Sequence, residues 1–218
     1  MTTLRRIAFA VAVAVAITLL VATAGPAGAG EVRTWDFQVQ LDGQTIGRHR
    51  FELLTDGDQR TLVNHAAFTV KLLGIPVYRY RHDTREQWRG DCLTALMADT
   101  NDGGERAAVR ARGDSSGLQI EAPGGTTAAS GCVMSYAYWH PAMLKQSRLL
   151  NAQTGAVDAV RISAAGSASI EVQGRPQPAT RWVIDGKAGP LAIWVSPQGE
   201  WVGLDATVRG TRKLSYRL

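Results

Sequence analysis

Apolar and polar residues alternate with a period of two through most of this chain. Trp35, Phe37, Val39 and Leu41 are separated by Asp36, Gln38 and Gln40, and the run stops at Asp42-Gly43. Successive side chains of a strand point to opposite faces, so the pattern predicts a half-buried β-strand closed by a turn. The same reading predicts strands at 47–54, 62–72, 77–88, 93–99, 105–112 and 117–121, then at 157–162, 168–172, 180–184, 191–195, 201–207 and 213–218. Gly, Pro and Asp-Gly pairs punctuate them. Many short strands at near-regular spacing predict an all-β fold, an antiparallel β-barrel or clam-like sandwich. One short helix is expected from Pro141 toward Asn151, where Pro suits the first helical position and Ala142, Met143, Leu144 and Lys145 follow. The glycine-rich stretch 123–131 reads as a loop.

Before residue 30 the pattern is different. Arg5 and Arg6 precede an uncharged apolar run over 7–22, followed by small residues to Gly30. This is the plan of a secretory signal peptide, and the run is shorter than the ~20 residues a membrane span needs. Ala27-Gly28-Ala29 fits the cleavage pattern, with Ala22-Thr23-Ala24 as the competing site. The expected organisation is a signal peptide at 1–29 and a single β-rich domain at 30–218, periplasmic or secreted.

With 45% hydrophobic and 20% charged residues, the chain has enough apolar material for one sizeable core and does not read as disordered. The formal net charge of +5 comes from basic residues scattered along the strands. Export and that scatter argue against nucleic acid as a partner, while peripheral contact with an anionic membrane stays open. Two cysteines, Cys92 and Cys132, exclude a zinc ribbon or a dense disulfide framework. In an oxidising compartment a disulfide is the economical reading. A catalytic thiol or a mixed Cys/His metal site is the alternative, and neither has a partner at diagnostic spacing.

No phosphate-cradling loop, G-x-S-x-G, H-E-x-x-H or EF-hand pattern occurs, so no cofactor, metal or catalytic residue is assigned. The candidate site comes from the segment 77–88, whose length of about 40 Å at ~3.3 Å per residue suits a bent strand or a barrel wall. One face carries Tyr78, Tyr80, His82, Thr84, Glu86 and Trp88. Turned inward, it sets polar groups among aromatics, the character of a pocket for an amphipathic small molecule. Tyr136, Tyr138, Trp139 and His140 form a second cluster just after Cys132, and a Cys92–Cys132 bridge would bring the two together. The competing reading makes all of these core residues with separate hydrogen-bond partners.

The segments Trp35-Asp36-Phe37-Gln38-Val39, Leu41-Asp42-Gly43 with Ile46-Gly47, Tyr78-Arg79-Tyr80-Arg81-His82-Asp83, Tyr136-Ala137-Tyr138-Trp139, Leu150-Asn151-Ala152-Gln153-Thr154-Gly155 and Leu214-Ser215-Tyr216-Arg217-Leu218 resemble a bacterial family of exported proteins of unknown function. The resemblance covers most of the chain after the signal peptide and includes both cysteines. His140 departs from it, standing where that family more often has Asn. The resemblance implies a cell-envelope compartment and a lipid association, since the family's genes accompany lipid-modifying enzymes such as cyclopropane-fatty-acid synthase relatives. It carries no established activity. The expected function is therefore non-enzymatic binding of a lipidic or other apolar ligand. The alternatives are a cofactor-free envelope enzyme using His82, Glu86 or His140, and a structural or protein-interaction module.

Overall fold

The computed structural model describes residues 30–187 and 189–218. The signal peptide expected at 1–29 lies outside them. The fold is all-β and antiparallel, and one sheet of thirteen strands dominates it. Eight strands form a first meander: β1 (Glu31–Leu41), β2 (Gln44–Asp56), β3 (Gln59–Leu72), β4 (Ile75–Arg89), β5 (Cys92–Asp102), β6 (Glu105–Gly113), β7 (Gly117–Ala122) and β8 (Gly125–Ser130). Five form a second: β11 (Arg161–Val172), β12 (Arg175–Asp185), β13 (Leu191–Val195), β14 (Trp201–Val208) and β15 (Arg212–Arg217). The meanders join where β1 pairs with β15, from Gln38 opposite Arg217 to Leu41 opposite Leu214. Between them, β9 (Arg148–Leu150) and β10 (Val157–Ala159) make a two-stranded ribbon.

The sheet ends at β8 on one side and β11 on the other, so it is not the closed barrel offered as one alternative. It is strongly curved nonetheless. Phe51 on β2 meets Trp201 on β14 edge-to-face at 5.0 Å between ring centroids. Those strands are three places apart in the sheet, about 14 Å if it were flat at ~4.8 Å per strand. Bulges at Val39/Gln40, Val70/Lys71 and Gln87/Trp88 supply local bends. At Gly47 the backbones approach so closely that a Cβ would stand 2.0 Å from the Ala67 carbonyl oxygen, which excludes any side chain there.

The alternation along β1 is realised in full: Trp35, Phe37, Val39 and Leu41 are buried and Thr34 and Gln38 are exposed. The inner faces of both meanders share one core with the segment that connects them. From that segment Val133, Met134, Ala137, Met143, Leu149 and Leu150 are all buried. Cys92 and Cys132 are bonded, and next to the bridge the Leu93 N–H donates to the Val133 carbonyl at 3.0 Å. The connecting segment is thus stapled to the start of β5.

Three sequence expectations need correction. The helix is a single 3-10 turn, Pro141–Lys145, that stops at an extended Gln146. Good helix formers continue beyond it, but Leu149 and Leu150 are completely buried and Arg148–Leu150 pairs with β10. Tertiary burial overrides a weak propensity there. The stretch 123–131 is mostly β8, an edge strand in which only Ala129 is buried, so its composition carries no apolar alternation. Gly166, at φ 96°, sits in an irregularity of β11 and does not end a strand.

Candidate functional site

β4 runs from the rim of the curved sheet to its centre. Tyr78 and Tyr80 are half-buried, and His82, Thr84, Glu86 and Trp88 are buried, while Arg79, Arg81, Arg85 and Arg89 on the other face are exposed. The inner face borders a cavity of about 580 Å³. Strands β1–β4 and β13–β15 build its walls, and the connecting segment covers the inside. Exposed Val77, Arg209 and Arg212 mark its mouth; buried Glu86, Ser135 and Trp139 mark its floor.

Of the residues singled out in the sequence, Tyr78, Tyr80, His82, Glu86, Tyr136, Tyr138 and Trp139 line this cavity. The two clusters do converge: Trp139 stands edge-on to Trp88 at 5.5 Å between ring centroids. Trp88 and His140 do not line the cavity. Trp88 packs behind the floor. His140 caps the 3-10 turn, its Nδ1 accepting from the Ala142 N–H at 3.2 Å, and its Nε2 lies 3.3 Å from Asp91. Burial and the neighbouring Arg60 hold its imidazole below the ordinary histidine range.

Two polar stations interrupt the apolar lining. In the first, the Tyr216 hydroxyl lies 3.4 Å from His49 Nδ1, His49 Nε2 lies 3.1 Å from Asn64 Oδ1, and the Asn64 amide donates to the Thr84 hydroxyl. This order assigns His49 as donor to Asn64 and acceptor from Tyr216. Nearby, His82 Nδ1 is 2.8 Å from the Thr100 hydroxyl. Burial depresses His49 to about 3 and His82 to about 4, so both rings are neutral at physiological pH.

The second station is the floor. The Glu86 carboxyl is 4% exposed and accepts from the Trp88 indole at 3.0 Å. Burial pushes its pKa up to about 7, with the neighbouring Ser135 hydroxyl and the Trp88 indole pulling the other way. No cation faces it among the described residues. Ser135 Oγ, although beside Glu86, is outside hydrogen-bond geometry with any described group, and so is Trp139 Nε1. Buried polar atoms are almost always paired, so the unpaired Trp139 indole N–H is unusual, while the Ser135 hydroxyl has the Glu86 carboxyl beside it.

The sequence reading missed His49, Phe51, Asn64, Phe68 and Tyr216, all of which line the cavity. Each is in phase with an alternating run, and that phase was the available signal. Their convergence arises from the curvature that brings β2 and β3 against β15. The chain was also compared with known proteins. The family model described as a domain of unknown function, DUF6134, matches residues 37–218. No curated protein matches the chain.

Proposed function

Because the chain belongs to the DUF6134 family, whose description assigns no activity, we propose its role from the cavity: non-enzymatic retention of an apolar, lipid-like molecule that carries one small polar group. The observation that carries this reading is the cavity of about 580 Å³, whose aromatic and aliphatic walls end in a floor where Trp139 Nε1 has no partner among the described residues and Glu86 has no cation. An indole N–H and a serine hydroxyl would donate to an ester, acid or hydroxyl oxygen of a ligand. The aliphatic and aromatic walls would take its hydrocarbon body, and the cavity volume falls within the range of small-molecule sites. The imidazoles of His49 and His82 are neutral and held by Asn64, Tyr216 and Thr100. That arrangement suits orientation of a ligand better than acid-base chemistry, and His82 and Glu86, four residues apart on one strand, stand about 13 Å from one another.

The Cys92–Cys132 bond fits an oxidising compartment, and together with the leader-like sequence at 1–29 it supports a role in the periplasm or outside the cell. Equilibrium binding of a fluorescent fatty-acid analogue tests the reading. Tyr80→Ala should weaken binding by about 1–3 kcal/mol through lost apolar burial, and Trp139→Phe should weaken analogues with an oxygen head group more than a pure hydrocarbon. Saturable binding left unchanged by both substitutions would put the ligand elsewhere.

A further inference from the structure

We propose that the tip of the β3–β4 hairpin docks onto an anionic phospholipid bilayer, setting the mouth of the cavity at the membrane surface. The tip reads Leu72-Leu73-Gly74-Ile75-Pro76-Val77. Leu72 is 64% exposed, Leu73 95%, Ile75 67% and Val77 58%. The other exposed large apolar side chains among the described residues are Met97 on β5, at 51%, and the cross-strand pair Val32 and Leu54 on β1 and β2, at 66% and 44%. Concentrated exposure on a protruding turn is unlike the scattered apolar residues of an ordinary surface.

The turn itself argues against a purely structural origin. Leu73 has φ 49° and Gly74 φ 82°, the left-handed pair of a two-residue hairpin turn. Asn, Asp or Gly is the usual first residue of such a turn, because a larger side chain is strained at positive φ. A leucine held there and almost wholly exposed contributes little to the fold, and a local choice that conflicts with folding points to a role outside it.

Charge complements the apolar tip. Lys71 and Arg79 flank it, both exposed and without a salt bridge among the described residues. Across the mouth, the guanidinium of Arg209 lies over the Tyr78 ring at 4.8 Å. Arg212 and Lys213 open β15 directly after that turn. The carboxylates at this end are fewer: Asp42 is engaged by Arg212 at 2.8 Å, Asp102 accepts from the Tyr78 hydroxyl at 2.5 Å, and Glu105 opens β6 opposite Asp102. Apolar groups that enter the headgroup region, ringed by cations that meet anionic lipid, form the two-part attachment of a peripheral membrane protein. The patch is also continuous with the cavity: a second cleft, which includes Lys71, Leu72, Pro76 and Arg79, shares Leu41, Ile46, Val70, Val77 and Arg212 with it.

Docking stands independently of what the cavity holds, and the test separates the two. Full-length mature protein is sedimented with vesicles of phosphatidylcholine alone or mixed with phosphatidylglycerol, at low and high salt. Wild type is expected to bind the phosphatidylglycerol vesicles at least tenfold more strongly, with the preference shrinking as salt rises. Leu73→Asp should lose most of this binding, and Lys71→Glu with Arg79→Glu should lose the preference for anionic lipid. Leu73→Asn is the decisive variant, since it relieves the turn: the melting temperature should hold or rise while vesicle binding falls. Tyr80→Ala, inside the cavity, should bind vesicles as wild type does. Wild-type protein left in the supernatant, equal binding to both vesicle types, or undiminished binding by Leu73→Asn would overturn the proposal, the first of these leaving the tip as a contact for a protein.

Discussion

Glu86 and Trp88 are successive inward residues of β4, and the Trp88 indole donates to the Glu86 carboxylate at 3.0 Å across that single step. The indole and the neighbouring Ser135 hydroxyl do not replace the water the carboxylate has lost, and burial raises its pKa to about 7. A carboxyl of this kind is neutral for much of the time near neutrality and able to donate a proton to a ligand oxygen.

Stability should therefore depend on pH through Glu86. Its folded pKa is raised above the ordinary value of 4.5, so its contribution is fully present below about pH 4.5 and is lost as pH rises through about 7. The loss is on the order of 3 kcal/mol. Glu86→Gln should be markedly flatter over that window, gaining on the wild type as pH rises; chemical denaturation at pH 4.5, 6 and 8 measures it. Parallel curves for the two proteins would mean that the carboxyl titrates as an exposed one.

His82 works in the opposite sense. Its folded pKa lies below the ordinary 6.5, at about 4, so its contribution is present above pH 6.5 and lost as pH falls toward 4. His82→Gln should remove up to about 3 kcal/mol of acid destabilisation while keeping a hydrogen-bonding partner for Thr100. The imidazole signals in an NMR titration check the cause directly: an ordinary midpoint near 6.5 would place the ring in water.

The Cys92–Cys132 bridge closes a 40-residue separation and anchors the segment that carries Ser135, Tyr138 and Trp139. Replacing both cysteines with serine should cost about 2–5 kcal/mol in denaturant unfolding. It should also weaken ligand retention more than a distant substitution of equal cost, because the floor is held by the same staple. Thiol counting on denatured, non-reduced protein should find none; two titratable thiols would contradict the bridge.

Much of the strand pattern was legible because burial of one sheet face imposes a period of two, as Trp35 to Leu41 and Tyr78 to Trp88 display. Signals failed where burial and pattern part company. Thr126 to Ala128 are exposed on both faces of an edge strand, and Leu149 and Leu150 are consecutive buried residues in a ribbon too short to alternate. The aromatic half of the site was legible from one strand and one loop. The other half, His49, Asn64 and Tyr216, belongs to three strands whose meeting depends on sheet curvature, and curvature leaves little trace in any single run of residues. His140 misled for a related reason: it sits beside the cavity wall in sequence, yet its ring turns back to cap Pro141–Lys145.

The central claim is that the cavity retains an apolar molecule whose polar end meets Glu86, Ser135 and Trp139. Native mass spectrometry of protein purified gently from the envelope fraction, followed by lipid extraction, measures this most directly. The expected result is a bound species of defined mass that partitions into organic solvent and is depleted from Tyr80→Ala protein. Protein that emerges empty, and stays empty when offered fatty acids and phospholipids, would contradict it.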